Sequence, residues 1–362
     1  MSTRIYNAAA ILLVLVLSGV ILFYGKEFLI PFTIAGLLAM LLLPVTKWLR
    51  SKGIAKSLAI IIAMLSLVAV IAGVVWLIAW QVQDLAKESS GIEQQLSQKL
   101  KQVQDYISEK FNISQEKQQE VVKKQQSSSQ GGAGKTASSL LSGLGSFLTN
   151  LLLVFVYIFL FIYFSNRIRQ FIIKIAGTRQ KANTEKALGN IQQVSQKYLT
   201  GLAMMIVILW IMYGIGFSIV GVKQALFFAV LCGLLEIVPF IGNLTGTALT
   251  ILASVMQGGD MNMVVGILIT YALVQFIQTY LLEPLVVGAG VNINPLFTII
   301  GLVAGELLWG IAGMMLAIPL MAIFKIVCEH VDALQPFALL MGSDDKEPGV
   351  VEKIKKAFSK KK

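Results

Sequence analysis

One histidine and two cysteines stand in a chain of 362 residues. A multi-histidine metal centre is thereby excluded, and so is a disulfide scaffold. Charge is scarce as well. Only 14% of the residues are charged and 56% are hydrophobic, where a soluble globular domain carries about 25% and about 45–50%. These shortages exclude a disordered chain, a coiled-coil rod and an ordinary cytosolic enzyme. The short alternating segments that build a strand barrel are missing too. A helical membrane protein remains, provided that the apolar residues come in runs of about 20.

They do. Candidate spans lie at 7–24, 28–46, 57–82, 139–165, 201–220, 225–257, 261–282 and 296–328. The first has only Arg4 ahead of it, no clear small-x-small cleavage site and a second run close behind. It reads as a retained helix rather than a signal peptide. The expected fold is an all-α polytopic membrane protein of about eight membrane segments. Two of the C-terminal ones should be broken or re-entrant, and a small helical extracytoplasmic insert should interrupt the series.

The basic residues divide by segment. Lys47, Arg50, Lys52 and Lys56 fill the second connection with no acid among them. Segment 166–198 carries seven basic residues against Glu185 alone, and the chain from Lys325 onward carries eight lysines. Segment 84–138 is nearly balanced, with eight lysines and seven acids. The positive-inside rule places the N-terminus, 47–56, 166–198 and the tail in the cytoplasm, and 84–138 outside. Topology thus accounts for the net charge of +11, and nucleic acid is not needed as a partner.

The expected organisation follows. Residues 1–83 hold three membrane helices, 84–138 the insert and its linker, and 139–165 a fourth span. Residues 166–200 form cytoplasmic amphipathic helices, 201–335 a core with broken helices, and 336–362 a basic tail. In the insert, Ile92, Leu96, Leu100, Val103, Ile107 and Phe111 recur at helical spacing. In 166–198, Leu188, Ile191, Val194 and Tyr198 form a stripe, with basic residues suited to anionic lipid headgroups. Gly134-Lys135-Thr136 is not a phosphate loop, because Ser129 occupies the position that needs glycine. No cofactor and no metal are expected.

The chemistry concentrates further on. Between Lys223 and Lys325 lie 101 residues without lysine or arginine, yet Glu236, Asp260, Glu283 and Glu306 are there. Asp260, after Gly258-Gly259, reads as a loop residue. The other three lie in or beside apolar runs. A charge at the bilayer centre costs on the order of 3 kcal/mol even on lenient scales. Each glutamate must therefore be protonated, bind a cation, face water or pair with a base from an earlier segment. They are the candidate ion- or proton-coupling residues.

Two runs of 33 residues would each be about 50 Å long as straight helices, against a hydrocarbon core of about 30 Å. Pro239 and Gly242 interrupt one; Gly310, Gly313 and Pro319 interrupt the other. Pro284, Gly288 and Pro295 punctuate the chain between them. Transporters place ion and solute sites at such breaks. Glu236 and Glu306 sit near the carbonyl ends of first half-helices, where negative potential favours a cation or a retained proton. Asn243, Thr245, Gln275, Gln278, Thr279, Asn292 and Asn294 could line the path of a small polar solute, or could serve helix–helix hydrogen bonding.

Four ordered motifs carry a resemblance. They are Glu236-Ile-Val-Pro239-Phe-Ile-Gly242, Leu282-Glu283-Pro284-Leu-Val-Val-Gly288, Asn292-Ile-Asn294-Pro295-Leu296, and Trp309-Gly310-Ile-Ala-Gly313 running on to Pro319-Leu320. The chain resembles the autoinducer-2 exporter family of PerM-like permeases over about 225–335, and matches it in layout before that. The resemblance implies a multi-pass transporter of the bacterial cytoplasmic membrane, not an enzyme, assembled as a homo-oligomer, by analogy a pentamer. It implies cargo such as autoinducer-2, a quorum-sensing signal, or sodium/proton exchange. Ala289 stands where a basic residue often follows the motif glycine, and Glu306 adds an acid where the family is often apolar. The expected function is a secondary exporter of a small polar solute, coupled to a proton or sodium gradient. A cation/proton antiporter is the alternative, and a non-transporting membrane scaffold a more distant one.

Overall fold

A computed structural model describes residues 2–87, 149–239, 241–287 and 293–342. The expected insert helix, the linker, Gly288, Ala289, Asn292 and most of the basic tail lie outside the described residues.

Every described element is helical. Helix α1 (Ser2–Tyr24) turns at Gly25 into α2 (Lys26–Ser51), and α3 (Lys56–Lys87) follows a short turn. Helix α4 (Thr149–Tyr163) is bent by 67° from α5 (Ser165–Ala176). One turn of 3-10 helix leads into α6 (Lys181–Val220). Then come α7 (Ala225–Leu235), α8 (Ile241–Met256), α9 (Met261–Ile277), a π-helical segment (Gln278–Val287), α10 (Pro295–His330) and the short α11 (Gln335–Met341).

Length and apolar composition fit five of these stretches to cross a membrane, or six if α4 and α5 form one bent span. The expected count of about eight is not reproduced. The run 225–257 divides into α7 and α8, which at 11 and 16 residues are each too short. The segment 166–200 is expected to form cytoplasmic amphipathic helices. Only α5 is separate. From Lys181 the chain continues as one 40-residue helix, about 60 Å long, with a polar first half and an apolar second half.

Two apolar cores hold the molecule. One joins Ala35, Ala39 and Leu42 of α2, Ala59, Ile60 and Ala63 of α3, and Ile158 and Ile162 of α4. The other joins Leu209, Tyr213 and Phe217 of α6 with Phe228, Ala229 and Cys232 of α7 and Ile267 and Val274 of α9. Outside them, large apolar side chains such as Leu65, Trp76, Ile211, Ile219, Leu273 and Ile311 are exposed on helix after helix. A soluble protein does not leave such surface to water. In a bilayer it is the surface that meets lipid.

The second half contains two helical hairpins. In the first, α7 and α8 meet at their broken end. Cys232 Sγ lies 3.7 Å from Thr250 Oγ1, and a Cβ on Gly242 would lie 1.7 Å from the Leu235 carbonyl oxygen. In the second, α10 reverses at Gly310, whose φ of 60° and ψ of −140° are non-helical. A Cβ on Gly313 would lie 1.8 Å from the Gly305 carbonyl oxygen. Eight residues along a straight helix would separate these positions by about 12 Å, so the arms fold back on each other. Both arms of the first hairpin and the first arm of the second are shorter than a membrane span, whereas the second arm, 311–330, is about 30 Å long. Pro319 is buried inside the second arm, where helical geometry continues, so it is not a break.

Candidate functional site

Glu236 caps the C-terminal end of α7, where the chain leaves helical geometry. Its backbone N–H donates to the Cys232 carbonyl, and the turn through Val238 and Pro239 carries the chain into α8. Pro239 suits this turn because it lacks the N–H that a continuing helix would need. The break thus holds the Glu236 side chain between the hairpin and α9. It is 9% exposed.

Gln278 opens the π-helical segment after α9 and is fully buried. Its Nε2 donates to Glu236 Oε1. One turn back along the same face, Gln275 Oε1 accepts from Asn243 Nδ2 at 2.7 Å, and Gln275 Nε2 donates to Thr279 Oγ1 at 3.3 Å. Two polar bridges therefore join the first hairpin to α9. The Tyr213 hydroxyl and Glu283 lie within electrostatic reach of the Glu236 carboxyl.

The bridges leave a set of unpaired acceptors. Glu236 Oε2, Gln278 Oε1 and Asn243 Oδ1 are buried with no hydrogen-bond partner among the described residues. The hydroxyls of Tyr213, Thr247 and Ser254 are in the same condition. Both amides have committed a donor, to Glu236 and to Gln275, so what they leave unpaired is carbonyl oxygen. Unpaired buried polar atoms cost on the order of 1–3 kcal/mol each, and such a cluster is the usual mark of a functional site. Three of these atoms, on Glu236, Gln278 and Asn243, are acceptor oxygens on side chains of the one seam, and a carboxyl group so placed can take up a proton or a cation.

The structure distributes the other sequence candidates. Glu283 is exposed near the seam. Glu306 is exposed on the first arm of the second hairpin, where no described partner meets it. Thr245 donates to the Ile241 carbonyl on the exposed side of α8. Asn294 serves packing: its Oδ1 accepts from Phe297 N at 2.9 Å as the N-cap of α10, and its Nδ2 donates to the Leu340 carbonyl at 2.8 Å. Pro295 follows at the first turn of α10, where proline is favoured. Pro284 falls within the π-helical segment. Asp260 is the N-cap of α9, with Oδ1 accepting from Met263 N at 3.0 Å. Tyr213 and Ser254 were not legible as candidates, whereas Thr247 belongs with Asn243 and Thr245 to the polar residues that follow the first break and could hydrogen-bond a small solute. Thr247 stands four residues after Asn243, an i, i+4 spacing.

An apolar groove of about 800 Å³ lies elsewhere, between α3, α6 and α7, lined by Val70, Val74, Ile211, Ile215, Leu226 and neighbours. Its chemistry suits hydrocarbon rather than a polar solute.

Comparison with known proteins decides the family. The model of the AI-2E family transporter matches residues 10–333. The chain belongs to the AI-2E transporter family. It is similar to the "Putative transport protein YrrI" of Bacillus subtilis (strain 168), with 24% identity over 315 residues, 84% of this chain and 87% of that protein. It is also similar to the "Putative transport protein MT0215" of Mycobacterium tuberculosis (strain CDC 1551 / Oshkosh), with 25% identity over 317 residues, 85% of this chain and 84% of that one. AI-2E membership and the apolar helices make this chain an integral membrane transport protein.

Proposed function

We propose that this AI-2E family member is a secondary transporter of the bacterial cytoplasmic membrane that exports a small polar solute such as autoinducer-2. Transport is coupled to a proton or sodium gradient at Glu236. The observation that carries the reading is the buried Glu236–Gln278 pair, with an unpaired oxygen on each side chain. A carboxylate held between a hairpin break and a neighbouring helix can change its occupancy only if the hairpin and α9 adjust to it. Asn243, Gln275 and Thr279, on the same seam, offer hydrogen bonds to the solute. Working as a homo-oligomer would also give Glu306, exposed on a single chain, a place to find a partner.

The alternative is cation/proton exchange with no organic solute. The three unpaired acceptor oxygens of Glu236, Gln278 and Asn243 along the seam favour it, since a cation uses several acceptors at once and a proton at most two.

The test is flux in proteoliposomes with imposed proton or sodium gradients, with and without autoinducer-2. Protein-dependent movement of the furanone under a gradient supports the exporter. Ion exchange without it supports the antiporter. Absence of any flux under either gradient overturns both.

A further inference from the structure

Helix α5 has an apolar stripe with nothing among the described residues upon it. Ile168, Phe171, Ile172 and Ile175 recur at i, i+3, i+4 and i+7, which places them on one face. Phe171 is 63% exposed and Ile175 70%, and no residue of α5 is buried. Its charged residues, Arg167, Arg169 and Lys174, are all basic. At 100° per residue they fall beside and behind the stripe.

The helix also starts at a particular place. Lys56 Nζ donates to the Tyr163 carbonyl at the end of α4 and lies over the Tyr163 ring. Arg167 lies over Phe164, and Lys52 over Trp48 at the end of α2. Aromatic rings paired with cations at the ends of apolar helices are characteristic of headgroup depth. At this corner α5 turns 67° from the axis of α4, so it runs along the membrane surface instead of through it. The face opposite the stripe, with Arg169 and Lys174 at its edges and Gln170 and Ile173 between them, borders a cleft against Lys181 and Glu185 of α6. The stripe therefore points away from the protein.

We infer that α5 is an interfacial helix that docks on anionic phospholipid. Its stripe enters the boundary between headgroups and acyl chains, Arg167 beside the stripe contacts lipid phosphates, and Arg169 and Lys174 reach the headgroups from the rim of the cleft by extending their long side chains. The occupant is lipid because the surface is apolar and uniformly cationic and is continuous with the end of a membrane span. A second copy of this chain would bring the same three positive charges against its own.

The test uses the full chain in nanodiscs of phosphatidylcholine, with and without phosphatidylglycerol. An environment-sensitive dye is attached at Phe171→Cys or, in a second variant, Ile175→Cys; both native cysteines are buried. Quenching by spin-labelled lipid and protection from aqueous iodide at both positions is the expected result. Access to iodide, or shielding from both quenchers by a second copy, overturns the inference. The charge is tested by the triple substitution Arg167→Gln, Arg169→Gln, Lys174→Gln, read by competition between spin-labelled phosphatidylglycerol and phosphatidylcholine. Wild type should prefer the anionic lipid, and the variant should lose at least half of that preference. An unchanged preference overturns it.

Discussion

Glu236 differs from the other intramembrane carboxylates in what surrounds it. Glu283 and Glu306 are exposed, and their charge can be met from outside the chain. Glu236 is 9% exposed and leans on one amide. Glu236→Gln preserves shape and should leave the melting temperature within a few degrees. It should reduce gradient-driven flux by at least about tenfold, as expected when a coupling group loses its charge. Glu306→Gln should lower flux by about twofold at most on this account, and the two variants are compared in the same vesicles. The sequence made Glu236 visible because an acid in an apolar run with no nearby base is anomalous. It also placed Gln275, Gln278 and Thr279 on one helical face. It could not pair Gln278 with Glu236 across 42 positions, since that contact depends on how the hairpin packs on α9. Asn294 was readable in another way. An Asn-Pro step before an apolar run is a helix-start signal, and its side chain serves there. Asn294→Ala should destabilise the α10–α11 corner by about 1–2 kcal/mol, measured by thermal unfolding in detergent.

At the scale of elements, the hairpins depend on glycine where backbones touch. Gly313→Val would drive a side chain into the Gly305 carbonyl. The arms of α10 would have to separate, at a cost of about 3 kcal/mol or more, visible as reduced yield of folded protein and a lower melting temperature. Gly310→Ala should cost about 1–3 kcal/mol through backbone strain alone, because its φ of 60° with ψ of −140° is not open to alanine. The sequence disclosed that the two 33-residue runs could not be straight, and it located Pro239, Gly242 and Gly310. It did not separate Pro319, which the second arm absorbs, from the true break. A proline without its N–H is tolerated within a membrane helix when neighbouring helices pack around it. Nor did it reveal that α6 is continuous, because the change from polar to apolar at about residue 200 resembles a boundary between elements. Helical geometry itself is indifferent to that change.

For the whole molecule, the hairpins decide the topology. On the proposed reading α1, α2, α3, α4, α6 and α9 each cross the membrane once, whereas the α7–α8 hairpin and α10, which is apolar enough to cross but doubles back at Gly310, return to the side they enter from. Six passages bring both termini to the same side, which agrees with a basic residue near each end and with basic connections at 47–56 and 166–198. Reporter fusions after Gly342 and within 88–148 should therefore report opposite sides, with the first cytoplasmic. Fusions reporting the same side would reject this arrangement. Charge parity alone left the choice between three spans and one span with two hairpins open. The close approach of Gly305 to Gly313 favours the hairpins.

As proposed, the Glu236 carboxyl couples an ion to movement of the solute. The most direct measurement compares gradient-driven accumulation with equilibrium counterflow of the same labelled solute, in vesicles of wild type and Glu236→Gln. The variant should keep counterflow and lose accumulation under both proton and sodium gradients. Accumulation by Glu236→Gln at the wild-type rate would contradict it.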